Sequence, residues 1–154
     1  LDTFYDECAT AIWQYDGLLN KTIGDAVMAV FNFPIRQADH ASQAVRAARE
    51  IQKRCNEKRQ SLIDEFGLSG ADFGVGIGIH SGDLSFGEFG RSHRDLTAIG
   101  NVVNTASRAQ SAAEAGQILV SETVFERARA DLAASQCRHY QLKGFAAPVP
   151  LYVA

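Results

Sequence analysis

The sequence holds no run of eighteen apolar residues, so nothing in it reads as a bilayer-spanning helix. Basic charge is not in excess: fifteen Lys and Arg stand against eighteen Asp and Glu, a formal net charge of −3. A mildly acidic chain has no general attraction for nucleic acid, so a DNA- or RNA-binding role is disfavoured and any polyanion must meet a local cluster of cations. Cysteine is scarce, three residues widely spaced and odd in number, which argues against a disulfide framework. Cys8 and Cys55 fall on apolar faces of predicted helices, as buried reduced thiols do. The four histidines, His40, His80, His93 and His139, lack metal-ligand spacing. No Ser-His-Asp or Cys-His arrangement stands out, and repeats and low-complexity linkers are absent. The opening Leu1-Asp2-Thr3-Phe4 has neither an initiator Met nor a signal-peptide core. It reads as an internal segment of a longer parent.

What remains is ample for one domain: 154 residues, 46% of them hydrophobic. Leu1, Phe4, Cys8, Ile12 and Tyr15 recur at helical spacing, with Gly17 as the stop. Two short apolar runs then flank Gly24-Asp25, a hairpin dipeptide, and Pro34 closes the second strand. Ala41, Val45, Ala48, Ile51, Cys55 and Leu62 predict one long helix, capped by Asp39 and ended by Gly67. Its polar face, with Arg46, Arg49, Lys53, Arg54 and Lys58, reads as solvated. From Asp72 to His80, Gly alternates with Val or Ile, the mark of a strand against which another backbone packs closely. Ser81-Gly82-Asp83 turns into a strand over Leu84 to Phe89. A loop with Arg91, His93 and Arg94 follows, then a strand from Leu96 to Ile99. Asn101 is the expected cap of a helix to about Ala115. Ile118 to Val120 reads as a strand, Ser121 as a helix cap, and Cys137 to Val153 as a hairpin around Lys143-Gly144. Hairpins interrupting a strand–helix alternation favour an α+β fold, an antiparallel or mixed sheet with helices on one side.

Three segments carry candidate chemistry. Lys21 and Asp25 place a cation and an anion around one glycine turn. Asn104 and Arg108, four apart on a helix, share a face, and Asn inside a helix asks for a reason. Lys143 sits beside Gly144 in the last hairpin. Each segment alone also has a plain structural reading: a turn Asp, an extra cap with a solvent-facing Arg, a surface Lys.

Taken in order, these segments resemble the class III nucleotidyl cyclases, the adenylate and guanylate cyclase catalytic domain. The string from Asn20 to Phe31 is similar to the family's metal hairpin. Gly78-Ile79-His80-Ser81-Gly82-Asp83 followed by Gly87-Glu88-Phe89-Gly90 resembles its central hairpin. The most specific match is Ile99-Gly100-Asn101-Val102-Val103-Asn104-Thr105-Ala106-Ser107-Arg108. The likeness spans essentially the whole chain, so residues 1–154 are expected to form one catalytic domain of the ferredoxin-like cyclase fold, a mostly antiparallel sheet with flanking helices, incomplete at its N-terminal side.

The resemblance implies conversion of ATP to 3′,5′-cyclic AMP and pyrophosphate, assisted by two divalent ions, Mg²⁺ or Mn²⁺. It assigns Asp25 to metal, Asn104 to the ribose region, Arg108 to charge on the α-phosphate and Lys143 to the terminal phosphates. Lys21 and Thr97 fall at the base-reading positions. An ammonium only donates, which suits N1 of adenine and opposes the N1–H of guanine. The family's sites form between two chains paired head to tail; this one chain carries both sets of residues, so the resemblance implies a homodimer with two sites. The family's first metal aspartate has no match, because Asp2, Asp6 and Asp16 lie on or beside the first helix. The segment alone is therefore expected to be inactive. Family members are commonly fused to sensor or membrane domains, so a cytoplasmic catalytic domain with such a domain upstream is the expectation. A guanylate cyclase and a non-catalytic nucleotide-binding or dimerisation module are the alternatives. A diguanylate cyclase is rejected, since the turn here is Ile23-Gly24-Asp25-Ala26.

Overall fold

The computed structural model describes residues 2–70, 73–89 and 95–154; for 86–89 and 95–99 it describes strand positions only. The loop with Arg91, His93 and Arg94 lies outside the described residues, as does Asp72. In chain order the elements are α1 (Asp2–Gln14), β1 (Leu18–Ile23), β2 (Ala26–Val30), α2 (His40–Glu57), α3 (Arg59–Phe66), β3 (Ile77–Ile79), β4 (Ser85–Phe89), β5 (Asp95–Ile99), α4 (Asn101–Ala112), β6 (Ile118–Ser121), α5 (Glu122–Arg127), β7 (Gln136–Tyr140) and β8 (Val149–Val153). None of the described helices is long and apolar enough to cross a membrane.

The largest sheet has four strands in the order β3-β6-β8-β7. Only β3 and β6 run parallel; β6–β8 and β8–β7 are antiparallel. All four residues of β6 are buried, so this strand has no solvent face and shows no polar alternation. Ile118 and Val120 join Ala41, Val45 and Ala48 of α2 and Val124 of α5 in one buried cluster. Leu119 and Leu151 join Ala109 of α4 and Leu142 in another. Alternate strand residues point to opposite faces, so α2 and α5 cover one side and α4 the other. The expectation of helices on one side is therefore corrected: this sheet is sandwiched, because β6 is apolar on both faces.

β1 and β2 form a separate antiparallel hairpin, and β4 pairs with β5 in another. Hence β3 and β4 do not pair as the expected central hairpin: β3 bonds to β6 instead. Leu19, Val27, Ala29 and Phe31 pack with Phe4, Cys8 and Ile12 of α1 and with Cys55 and Leu62, the core of the hairpin half.

The predicted long helix breaks at Lys58 into α2 and α3, and Gly67, at φ 65°, closes the second piece. Asp39 stands at the α2 N-terminus without a side-chain capping bond. Nor is the basic face merely solvated. Arg46 Nε lies 3.3 Å from Asp131 Oδ1, and Arg49 donates to the Asp131 carbonyl at 2.7 Å. Arg54 bridges Glu50 at 3.0 Å and Glu7 of α1 at 3.3 Å.

Candidate active site

The first group of candidate residues rides on the β1–β2 hairpin. Gly24 takes φ 58°, a conformation that costs glycine little and suits the first position of a two-residue hairpin turn. Asp25 follows at the tip, exposed. The ladder pairs Leu19 with Ala29 and Lys21 with Met28, so the register shifts between Leu19 and Lys21. Directly paired residues share a face. Lys21 therefore lies on the Met28 face, away from the side that Leu19, Val27 and Ala29 pack into the core. The Tyr5 hydroxyl of α1 donates to the Gly24 carbonyl and holds the turn that presents Asp25. Nothing in the local spacing of Tyr5 signals this role, since its partner lies nineteen residues away. β1 also lies against β5, the strand of Thr97, which pairs with Gly87.

The second group rides on α4. Close seating of this helix on β3 explains the glycine alternation read from the sequence. A Cβ on Gly78 would stand 2.3 Å from the Gln110 nitrogen and 2.5 Å from the Ala106 carbonyl oxygen. One on Gly74 would stand 2.7 Å from the backbone of Ala115 and Gly116. Backbone atoms cannot move aside as a flexible side-chain end can, so glycine here sets the depth at which α4 docks. Gly100, at φ 124°, occupies the cap position, and Asn101 is instead the first helical residue. Asn104 is exposed and Arg108 half-buried, while Ala109 is fully buried between them and the sheet. Leu142 packs in the same cluster as Ala109, so Lys143 and Arg108 each adjoin one shared core. Gly144, at φ 88°, makes the turn after Lys143.

A hydrogen-bonded chain that the sequence did not reveal braces the loop after β3. Thr123 Oγ1 donates to the Ser81 carbonyl at 3.0 Å. That uses its only proton, so Ser121 Oγ is the donor across the 3.0 Å contact to Thr123 Oγ1. The same reasoning makes His80 Nδ1–H the donor to Ser121 Oγ at 2.7 Å. The neutral ring thus carries its proton on Nδ1. Burial pushes the His80 pKa below the ordinary histidine value. Ser121, expected as a cap, makes no side-chain capping bond because its hydroxyl is engaged in this chain.

Among the described residues, the side chains of Lys21, Asp25, Asn104, Arg108 and Lys143 make no hydrogen bond or ion pair with one another or with other groups. The fold presents them in two sets, one on a hairpin and one on α4 with its neighbouring turn. Cations and an amide left unpaired at a surface suit an anionic ligand, and a carboxylate suits a metal that accompanies one.

The family model described as the adenylate and guanylate cyclase catalytic domain matches residues 1–153. The chain belongs to this family. The cyclase domain is 33% identical over 109 residues to adenylate cyclase 1 of Rhizobium meliloti (strain 1021), covering 70% of this chain and 16% of that protein. It therefore spans only a small part of that relative's length. Among solved structures, the guanylyl cyclase Cya2 superimposes with a TM-score of 0.88 at 28% identity, covering 99% of this chain and 77% of that one. The adenylyl cyclase CyaB from P. aeruginosa gives a TM-score of 0.80 at 31% identity, covering 99% and 78%. The α+β cyclase fold is thus established, and the chain is a domain of the adenylate and guanylate cyclase catalytic family.

Among the described residues of this cyclase domain, no group of three or more His, Cys, Asp and Glu side chains can hold a metal ion. Asp25 offers one carboxylate, short of the roughly six oxygens that Mg²⁺ takes. These residues do not complete a metal site by themselves.

Proposed function

We propose that this cyclase domain is of the adenylate type and serves an enzyme that converts ATP to 3′,5′-cyclic AMP and pyrophosphate. The observation that carries this reading is Lys21. Its ammonium is exposed, has no partner among the described residues, and stands on β1 beside β5, the strand of Thr97. A group that only donates hydrogen bonds accepts N1 of adenine and rejects the protonated N1 of guanine. Thr97 discriminates less, because a hydroxyl both donates and accepts.

In the reaction, a bond forms from the ribose 3′-oxygen to the α-phosphorus as the bond to the diphosphate breaks and the hydroxyl proton leaves. Asn104 holds the ribose region. Arg108, half-buried and seated on a well-packed helix, meets the charge that builds on the α-phosphate without reorganising. Lys143 neutralises the departing diphosphate. Divalent ions, Mg²⁺ or Mn²⁺, would supply further charge neutralisation. Asp25 would offer one carboxylate ligand to such an ion. Lys21, Asp25, Asn104 and Lys143 are exposed and Arg108 is half-buried; a head-to-tail pair of copies, which the family resemblance implies, would close two sites over them.

Calorimetry with non-hydrolysable ATP and GTP analogues in the presence of Mn²⁺ tests the base assignment. ATP should bind about tenfold tighter, and Lys21→Glu should erase that preference. Preference for the GTP analogue would establish the guanylate reading, which the likeness to Cya2 keeps as the rival. Binding that is indifferent to Mn²⁺ would favour a non-catalytic module. With one metal carboxylate, the 154-residue chain is expected to form no cyclic AMP from ATP and Mn²⁺. Measurable product would overturn that expectation.

A further inference from the structure

The parallel strands β3 and β6 end side by side, at Ile79 and Ser121. At those ends lies a cavity of about 260 Å³, close to the small end of ligand clefts, which run from roughly 300 to 1,000 Å³. Its apolar wall is Phe145, Val149 and Pro150; its polar wall is His80, Ser121, Glu122, Thr123 and Thr105 of α4. The protons of the polar wall are already committed. His80 Nδ1–H goes to Ser121 Oγ, the Ser121 proton to Thr123 Oγ1 and the Thr123 proton to the Ser81 carbonyl. Thr105 Oγ1 donates to the Asn101 carbonyl at 3.0 Å, within its own helix. What these side chains still offer is acceptors: the Nε2 lone pair of the neutral His80 ring, the Thr105 oxygen and the Glu122 carboxylate. Nε2 has no partner among the described residues, and Gly82, whose Cβ would stand 3.9 Å away, sets no side chain against it. Among the described residues, no Lys or Arg lines the cavity.

We propose that this cavity binds a small organic ammonium ion, a protonated amine on a short hydrophobic body, separately from the nucleotide residues. An anion meets no cation and no free side-chain donor on the walls. A hydrocarbon alone would strip water from three acceptors without replacing it. An ammonium brings N–H donors and one positive charge. His80 Nε2 and Thr105 Oγ1 accept two of the donors, and Glu122 supplies the opposite charge. The hydrophobic body lies on Val149 and Pro150, and the Phe145 ring offers its face to the cation. A bare metal ion fits less well, because no third His, Cys, Asp or Glu among the described residues joins His80 and Glu122 to hold one. The walls also link two parts of the candidate site. Thr105 is next to Asn104 but about 100° around α4, so the cavity and Asn104 use different faces of one helix. Phe145 follows the Lys143-Gly144 turn. An occupant therefore ties α4 to the turn that carries Lys143. The consequence for nucleotide handling rests on the cyclase reading of these residues; the binding itself does not.

Benzylammonium chloride is the probe, titrated into the isotope-labelled chain at pH 7.5, where burial keeps the His80 ring neutral, and followed by backbone amide shifts. Saturable shifts are expected at residues 80, 105, 121–123 and 145–149, with a Kd of about 1 mM for a ligand of so few atoms. Glu122→Gln should weaken binding about fivefold and Thr105→Val about threefold. Benzoate and benzyl alcohol, with an anionic and a neutral head on the same ring, should not saturate by about 20 mM. No saturable shift with benzylammonium, benzoate binding as tightly, or shifts confined to other residues would each overturn the proposal. So would wild-type affinity in both variants. Hydrogen exchange then reads the tie between the walls. Protection at residues 143–146 should rise about threefold with saturating benzylammonium. Unchanged protection with binding intact would overturn the link to the Lys143 turn. None of these readouts uses nucleotide or cyclase activity, so failure of the adenylate reading would leave them standing.

Discussion

Two halves of this cyclase domain present chemistry in different ways. Around the four-stranded sheet, β6 is buried on both faces, and α4 is pressed onto β3 so closely that Gly78 has no room for a Cβ. Asn104 and Arg108 inherit that rigidity. The β1–β2 hairpin is a two-stranded sheet, a structure barely stable alone, and its strand residues from Lys21 to Ile23 and its turn are exposed. Its position depends on packing against α1 and on one hydroxyl from Tyr5. Positioning in the first half comes from backbone contact and close packing, and in the second from a few tethers. The candidate residues on α4 are therefore seated more firmly than Asp25 on the hairpin.

The contrast makes graded predictions. Gly78→Val should be the most damaging change, because its side chain meets the α4 backbone. A loss of about 3 kcal/mol or more is expected, read as a lower urea midpoint. Retained stability would show that α4 is not seated as tightly as the contrast requires. Leu151→Ala, at a fully buried position, should cost about 2–5 kcal/mol by the same measurement. Tyr5→Phe should cost about 1 kcal/mol, with faster hydrogen exchange confined to the 23–26 turn. Exchange that quickens equally in β6 would erase the distinction between the halves.

The pH dependence follows from His80. Burial lowers its pKa in the folded chain, whereas the unfolded chain titrates near about 6.5. Above that value the ring is neutral in both states and the stability is fully present. As pH falls below it, the unfolded chain takes up the proton first and stability is lost. The urea midpoint should therefore drop between pH 7.5 and 5.5, and drop less in His80→Gln. An equal drop in both proteins would remove His80 from the account. The smallest effect is expected at Asp25→Asn, within about 0.5 kcal/mol, because the carboxylate is exposed and has no partner among the described residues.

Much of this was legible in the chain. The Gly24-Asp25 hairpin, the Lys143-Gly144 hairpin, and the glycine alternation as a docking track are local signals, and the structure bears each of them out. The break at Lys58, the pairing of β3 with β6 and the sandwiching of the sheet were not legible. Each depends on a partner far along the chain, and an apolar strand such as Ile118 to Val120 does not state how many faces it buries.

Sequence alone determined the residue types at the candidate site, the turns that carry them and the family they belong to, because turn chemistry, periodicity and motif spacing are properties of neighbouring residues. Only the tertiary structure decided which backbone seats α4, which hydroxyl holds the Asp25 turn and where the His80 proton lies. These are long-range contacts, set by how the halves pack together, and no short stretch of the chain encodes them.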